Sequence, residues 1–269
     1  MWKYLTDAAV SERLNHVDIP FNTYGIDHFG ISREHVGTFY SGLKLLYENY
    51  FRVITTGVEN VPDTGRAMLI GNHSGGLPMD AMMTIAAVFF EKEPPRHTMG
   101  MVEKFAQKLP FVSQWSCRIG QLTGLPEHAV AMLKAERLLM VFPEGARGTG
   151  KLYKDRYKLV RFGTGFMRIA LQTKSPIVPF GFVGGEEALP TIYHAKTLAK
   201  LFRAPYWPVP PYLVPIPLPV QCRLVFGEPM YFEGDGTESD QIIDSYVAQV
   251  RDRIAALVDE GRVARRETE

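Results

Sequence analysis

The chain has 269 residues, of which 46% are apolar and 22% are charged, and its formal net charge is +1. This composition is typical of a globular protein with a sizeable hydrophobic core and argues against a disordered chain. The near-neutral charge argues against a nucleic-acid-binding protein, so no nucleic-acid partner is expected.

The first third of the chain predicts a short helical segment followed by the start of a sheet. Residues 32–50 carry apolar side chains at helical spacing, and Ser32 stands where a helix cap is expected. Residues 51–62 are typical of a strand that ends at a turn. Residues 66–90 predict a strand, a glycine-rich turn and a helix that starts near Pro78.

The rest of the chain continues the alternation of strands and helices. Strands are predicted in "HTMGMVEKFA", "RLLMVFPEG", "IVPFGFVGG" and "QCRLVFGEPMYF", and helices in "EHAVAMLKAE" and over residues 157–173. The alternation predicts an α/β layered fold with a mostly parallel central sheet flanked by helices. We divide the chain into an N-terminal helical segment, residues 1–55, and an α/β domain, residues 56–269. A closing helix over 238–261 has one apolar face: Ile242, Ile243, Tyr246, Val247 and Val250.

Two glycine-rich turns follow predicted strands, at residues 71–76 and 145–150. In parallel sheets, ligands bind in the loops beyond the carboxyl ends of the strands. One interpretation of the second turn is a phosphate-binding P-loop, because Gly145 to Lys151 fits Gly-x4-Gly-Lys. Leu152 then stands where Ser or Thr should bind Mg²⁺, and Glu144 would repel a phosphate.

A second interpretation is a serine esterase or lipase with Ser74 as its nucleophile. The nucleophile elbow requires Gly-x-Ser-x-Gly, and Asn72 stands where the first glycine should be. The histidine of the triad would have to be His194, in a stretch typical of a helix surface.

A third interpretation uses both turns together. His73 ends one strand, and Asp80 lies in the first turn of the next helix. Imidazole is suited to accepting a proton near neutral pH, and a carboxylate on its other nitrogen fixes the tautomer. The second turn offers Glu144 and Arg147, a polar pair suited to holding the headgroup of an acceptor.

In this combination the sequence resembles the lysophospholipid (glycerolipid) acyltransferase family, which includes the 1-acylglycerol-3-phosphate acyltransferases. The family motif Phe-Pro-Glu-Gly-x-Arg is complete from Phe142 to Arg147, and Pro179 matches the proline of a later block. The resemblance implies that His73 and Asp80 are catalytic. It also implies a set of substrate-binding residues: Glu144, Gly145, Arg147, Pro179, Asn72 and Ser74.

Two departures from the family pattern affect this interpretation. The family's His-x4-Asp is His-x6-Asp here, and two extra residues in a Gly-Gly loop can be absorbed before the helix starts. The family's second block often ends in an arginine that meets an acceptor phosphate, but Gly124 or Leu125 stands there, with Arg118 nearby. The acceptor is therefore either phosphorylated or neutral.

The resemblance implies transfer of a fatty acyl group from a thioester, either acyl-CoA or acyl-carrier protein, to a lipid hydroxyl. It implies no metal and no cofactor beyond the thioester co-substrate. A non-catalytic lipid-binding module is the other alternative.

The expected location is cytoplasmic and peripheral, on the inner face of a membrane. The first residues lack an apolar stretch, so no signal peptide is expected, and no run of about 18 apolar residues that would cross a bilayer occurs in the sequence. The cysteines, Cys117 and Cys222, are too few for a disulfide framework. Residues 204–220 hold seven prolines, so they cannot form a helix. With the basic residues before them, residues 196–220 are the expected membrane contact.

Overall fold

The computed structural model describes residues 6–102, 112–201, 204–212 and 214–267. Nine strands lie in this part of the chain. They are β1 (Ile54–Thr56), β2 (Ala67–Gly71), β3 (Thr98–Val102), β4 (Gln121–Thr123), β5 (Leu138–Val141), β6 (Ile177–Val183), β7 (Tyr193–His194), β8 (Pro208–Val209) and β9 (Arg223–Phe226).

Ten α-helices lie between and around these strands. They are α1 (Ala8–Arg13), α2 (Arg33–Leu45), α3 (Met79–Glu91), α4 (Val112–Arg118), α5 (Pro126–Lys134), α6 (Ala146–Thr149), α7 (Gly165–Thr173), α8 (Gly185–Ala188), α9 (Lys196–Leu201) and α10 (Asp240–Arg266). A π-helical turn, Leu46–Tyr50, extends α2.

Seven strands form one sheet in the order β1-β9-β6-β2-β5-β3-β4. Strands β2 to β6 run parallel to one another, whereas β9 is antiparallel to β6 and parallel to β1. Both β2 and β6 are buried along their whole length, as expected of strands covered on both faces. The predicted α/β fold with a mostly parallel sheet is confirmed.

Two groups of helices flank the sheet. Helix α3 contacts α2 and β3, and α10 contacts β6, β9 and α7. One hydrophobic cluster includes Val10 and Tyr40 of the N-terminal segment together with Phe89, whose ring stacks on that of Tyr40 at 3.6 Å. The division of the chain at residue 55 stays a prediction.

The amphipathic helix expected over residues 157–173 is shorter than predicted. Only Gly165–Thr173 is helical, and Tyr157 has a left-handed φ of 66°. The backbone N–H of Val160 donates to the carboxylate of Glu144, which removes it from any helical ladder. Residues 157–164 are therefore not part of the helix.

Two smaller expectations need correction in detail. Ser32 is the cap residue of α2, as predicted, but its hydroxyl contacts His35 and makes no bond to the helix backbone. Ile242 is 43% exposed. The buried face of α10 includes Ile243, Val247 and Val250, as predicted, and continues along Ile254 and Leu257 at the spacing that meets β6 and β9.

None of the helices in the described ranges is long and apolar enough to cross a membrane.

Candidate active site

The candidate site lies where three neighbouring strands end. Strand β2 lies between β6 and β5, and the three are parallel. Their carboxyl ends therefore meet at one edge of the sheet, which brings together the turn after β2, the Phe142 to Arg147 motif after β5, and the Gly184 turn after β6.

His73 and Asp80 form the central pair of the site. The Nδ1 atom of His73 lies 2.7 Å from Oδ2 of Asp80. The Asp80 side chain is fully buried, whereas that of His73 is 14% exposed. With Nδ1–H donating to Asp80, Nε2 of His73 keeps its lone pair and is the atom able to accept a proton from a substrate.

The start of α3 fixes the Asp80 carboxylate. Besides the imidazole, it accepts hydrogen bonds from the backbone N–H groups of Ser74 at 2.7 Å and Ala81 at 2.8 Å. Three N–H groups thus converge on a carboxylate in the first turn of a helix, where negative charge is favoured. The carboxylate can therefore hold the ring in one orientation.

The two extra residues of His-x6-Asp are accommodated in a loop between His73 and α3. Gly75 and Gly76 have φ values of 87° and 68°, a region that costs other residues free energy. The loop leads to Pro78, directly before the first residue of α3.

The motif after β5 packs against the ring of His73. The ring of Phe142 stacks on the imidazole with centroids 4.1 Å apart and planes 13° apart. Gly145 follows with φ 57° and ψ −154°, a conformation essentially confined to glycine, and α6 begins directly after it.

The sequence predicts that Glu144 and Arg147 form a polar pair, but the structure does not show this pair. The carboxylate of Glu144 is buried and accepts the backbone N–H of His73 at 2.9 Å and that of Val160 at 2.8 Å. Glu144 therefore ties the turn of His73 to the 151–161 segment. These contacts are those of a residue that positions His73, because the carboxylate faces backbone groups of the protein.

The side chain of Lys151 contacts groups of the protein itself, whereas the lysine of a P-loop must be available to a phosphate. The buried ammonium of Lys151 lies 3.3 Å from Glu186 and 3.8 Å from Glu144, and donates to the carbonyl of Lys158. Burial raises the pKa of Glu186, and Lys151 opposes that shift. The P-loop interpretation is therefore wrong.

Arg147 is exposed at the rim of a cavity of about 480 Å³. Its guanidinium donates to the carbonyl of Arg161 at 3.2 Å, which leaves further donors facing the cavity rim. Lys158 also lines this cavity. Because Lys158 is paired with Asp155 at 3.0 Å in the same wall, Arg147 is the residue best placed to contact a polar group in this cavity.

Asn72 and Pro179 are structural parts of the sheet in this arrangement. The Asn72 amide donates to the carbonyl of Phe182 and accepts from its N–H, at 2.9 and 2.7 Å. Pro179 pairs with Ile70 within the buried strand β6. Both residues hold the strands that carry the site.

Ser74 does not have the geometry of a nucleophile. Its side chain is fully buried, and its Oγ has no hydrogen-bond partner in the described part of the chain. His194 lies in β7, where it pairs with Pro208, and its Nε2 contacts the carbonyl of Gly150. The expected helix surface at His194 is wrong, because the β7–β8 pairing holds it extended.

The sequence does not predict the contacts that Tyr206 makes in the site. The hydroxyl of Tyr206 contacts the carbonyl of Gly76 in the first glycine-rich turn and the hydroxyl of Thr149 in the second, which joins the two loops. Tyr206 lies in the proline-rich stretch, and no motif marks it. Its aromatic type within that stretch was the only available signal.

The fold and the paired motifs define a known class of protein. Residues 52–183 match the family model described as Acyltransferase. An uncharacterized protein of Mycobacterium leprae is 35% identical over 274 residues, which cover 94% of this chain and 74% of that protein. The chain belongs to the acyltransferase family, which confirms the resemblance drawn from its motifs.

Two further proteins are similar to this chain. The crystal structure of the 1-acyl-sn-glycerophosphate (LPA) acyltransferase PlsC from Thermotoga maritima has a TM-score of 0.57 at 17% identity, covering 85% of this chain and 81% of that one. The likeness is one of fold. A chicken protein named DGAT1/2-independent enzyme synthesizing storage lipids is 26% identical over 186 residues, covering 68% of this chain but only 54% of that protein.

Proposed function

We propose that the protein transfers a fatty acyl group from an acyl thioester to a hydroxyl of a glycerolipid-like acceptor. The observation that carries the proposal is the 2.7 Å contact between His73 and a fully buried Asp80, at the sheet edge that also presents Arg147. A base with its orienting carboxylate, next to a buried Ser74, leaves the substrate hydroxyl as the nucleophile.

The chemistry proceeds by addition and elimination. Nε2 of His73 takes the proton of the acceptor hydroxyl while the oxygen attacks the thioester carbonyl. The C–S bond then breaks, the imidazolium returns its proton to the leaving sulfur, and an ester and a free thiol result. Asp80 stabilises the imidazolium between the two proton transfers.

Two amides of the glycine loop are candidates to stabilise the oxyanion. The N–H groups of Gly75 and Gly76 have no hydrogen-bond acceptor among the described residues. Backbone donors that face a developing oxyanion are among the largest contributors to such catalysis.

The acceptor is the less defined substrate. One similar structure is titled an LPA acyltransferase and one relative is named for storage lipids, so phosphorylated and neutral glycerolipids are both supported. Arg147 would hold the polar headgroup at its cavity. The donor is acyl-CoA or acyl-carrier protein, and the enzyme would meet its acceptor as a peripheral protein on the inner face of a membrane, through residues 196–220.

The test compares variants of His73 and Asp80 in an acyl-transfer assay with one long-chain acyl-CoA and a panel of lysophospholipid and diacylglycerol acceptors. His73→Ala should lower the transfer rate by about 10²-fold or more, the usual contribution of a general base. Asp80→Asn should also be strongly impaired, because the ring loses its orienting carboxylate. The exposed His16→Ala is the matched control and should retain full activity.

Thermal unfolding of each variant separates loss of catalysis from loss of fold. A folded His73→Ala that turns over near the parent rate would refute the mechanism. Release of free fatty acid by the parent without any acceptor would favour the esterase alternative, and vesicle binding without turnover would favour a lipid-binding module.

A further inference from the structure

A second cavity, of about 430 Å³, lies at the same edge of the sheet as His73. Val183, the last residue of β6, lines it, and β6 is parallel to the β2 strand that ends before His73. We call this cavity the arginine pocket. Its charged and aromatic wall is formed by Arg156, Tyr157, Glu187, Arg262, Arg265 and Arg266.

The charge of the arginine pocket is strongly one-sided. Four guanidinium groups line it, and Glu187 is the one carboxylate in its wall. Glu187 balances one of the four positive charges. Asp259 balances another through a 2.8 Å contact with Arg262. Two positive charges are left over in a pocket whose size suits a small ligand, and arginine is the side chain best matched to phosphate oxygens.

Aromatic faces hold two of the guanidiniums in place. Arg156 lies over the ring of Tyr153 at 4.5 Å, and Arg262 lies over the ring of Tyr157 at 4.8 Å. Such contacts order a guanidinium without neutralising it. Arginines at the last turn of α10 also complement the helix dipole, but Arg156 comes from a separate segment and shares the same cavity.

The wall of the arginine pocket is strained and carries an unsatisfied acceptor. Tyr157 holds a left-handed φ of 66°, which costs a residue of this type free energy and is common at binding sites. The Tyr157 hydroxyl donates to Glu187 Oε1, while Oε2 of Glu187 is buried with no hydrogen-bond partner among the described residues. Backbone strain and an unsatisfied buried acceptor are features that recur at functional sites.

A chain of polar contacts joins the arginine pocket to the catalytic turn. The N–H of Tyr157 donates to Glu186 at 3.4 Å, Glu186 contacts Lys151, and Lys151 lies beside Glu144, which holds the backbone of His73. A ligand in the arginine pocket would therefore lie one loop away from the base.

We propose that the arginine pocket binds a phosphate group of one of the two substrates. The proposal rests on the proposed acyl transfer, whose donor and acceptor can both be phosphorylated. The phosphates belong either to the coenzyme A carrier of the donor or to the headgroup of the acceptor lipid.

The experiment measures binding of coenzyme A and of glycerol 3-phosphate by isothermal titration calorimetry, with inorganic phosphate as competitor. The test variant, Arg156→Gln with Arg266→Gln, removes two exposed guanidiniums. The control, Lys134→Gln with Arg253→Gln, removes an equal number of positive charges from residues that do not line the pocket. We expect the test variant to bind one ligand about tenfold or more weakly, since a hydrogen bond to a charged group contributes about that factor.

The two probes separate the two sources. Weaker binding of coenzyme A alone assigns the arginine pocket to the donor, and weaker binding of glycerol 3-phosphate alone assigns it to the acceptor headgroup. Equal binding by the test and control variants, absence of binding by the parent, or failure of inorganic phosphate to compete would each overturn the proposal.

The same titration on His73→Ala separates this proposal from the proposed function. That variant should bind both probes like the parent, because His73 lies outside the arginine pocket. If His73→Ala retained transfer, the assignment of the base would fail while the binding result stood. A charge-reversal variant, Arg266→Glu at the exposed rim, replaces the double variant if the latter unfolds.

Discussion

At the scale of single residues, Glu144 belongs to a motif that the sequence identifies, but its contacts differ from those that the sequence predicts. The sequence placed Glu144 beside Arg147 as a headgroup-holding pair, but the carboxylate accepts two backbone N–H groups and does not line the cavity of Arg147. A buried carboxylate requires such donors, since leaving it unpaired would be costly. The exposed Arg147 is the member that can reach a substrate.

Ser74 provides the sharpest test between acyl transfer and hydrolysis. Its buried hydroxyl has no hydrogen-bond partner among the residues that the structure describes, and an unsatisfied buried polar group costs about 1–3 kcal/mol. We therefore expect Ser74→Ala to keep its transfer rate within about threefold of the parent and to unfold at an equal or higher temperature, measured by steady-state assay and calorimetry.

The matched control for Ser74→Ala is Ser41→Ala. The Ser41 hydroxyl accepts from the N–H of Asp7 at 2.8 Å and donates to the carbonyl of Gly37 at 2.7 Å. Its loss should lower stability by about 1 kcal/mol. A folded Ser74→Ala protein without activity would show that the serine is the nucleophile after all.

At the scale of elements, the loop between β2 and α3 decides whether the variant motif works. Its backbone must place Asp80 under the imidazole despite two extra residues. A Cβ at Gly75 would lie 2.7 Å from the carbonyl oxygen of Gly185 in α8. The loop is therefore packed against the turn that follows β6, and its path depends on glycine.

Gly75→Ala should be destabilised by more than the roughly 1–2 kcal/mol that a left-handed conformation costs other residues, because the clash with Gly185 adds to it. The transfer rate of the folded fraction should also fall, since the loop carries His73. Urea unfolding and the acyl-transfer assay measure the two effects.

Gly42→Ala is the control for this loop. Gly42 lies inside α2, and a Cβ there would meet nothing within 4 Å. This substitution should raise stability by roughly 0.5–1 kcal/mol with unchanged activity. If Gly75→Ala behaved like Gly42→Ala, the loop would not need its glycine.

At the scale of the whole molecule, one stretch of the chain carries many exposed apolar side chains. Exposed side chains gather within residues 192–218, and we call this the apolar surface: Ile192, Tyr193, Leu198, Leu201, Val214, Ile216 and Leu218. Lys196 and Lys200 are exposed beside it, and Tyr206 connects the same stretch to both motif loops. Phe202 and Arg203, expected in the same contact, lie outside the described residues.

The expected occupant of the apolar surface is an anionic bilayer, because its lysines suit negative lipid headgroups and contribute about 1 kcal/mol each near such a surface. Replacing Leu201, Val214 and Ile216 with Ser should weaken sedimentation with phosphatidylglycerol-containing vesicles while leaving the melting temperature within a few degrees of the parent. These three side chains are 71%, 54% and 61% exposed, so their loss removes little packing.

Tyr231→Ser is the matched control, since Tyr231 is 77% exposed and lies outside residues 192–218. It should leave vesicle binding unchanged. Undiminished sedimentation of the triple variant would exclude this surface as the membrane contact. Equal binding to neutral and anionic vesicles would exclude the electrostatic part of the argument.

The sequence by itself determined the alternation of strands and helices, the membership in the acyltransferase family and the approach of Asp80 to His73. Each of these depends on short-range information. The first depends on the periodicity of apolar residues, the second on the residue types of a motif, and the third on the seven-residue spacing between His73 and Asp80. Even the Gly-Gly insertion could be interpreted locally, because glycine tolerates the required φ values.

Only the tertiary structure decided what the remaining polar residues contact. Glu144 reaches the backbone of His73 because β5 is the neighbour of β2, and Asn72 reaches Phe182 because β6 is the neighbour on the other side. Strand order depends on which apolar faces pack together across the whole chain, and no local pattern contains it. The same long-range packing gathers Arg156 and the end of α10 into the arginine pocket.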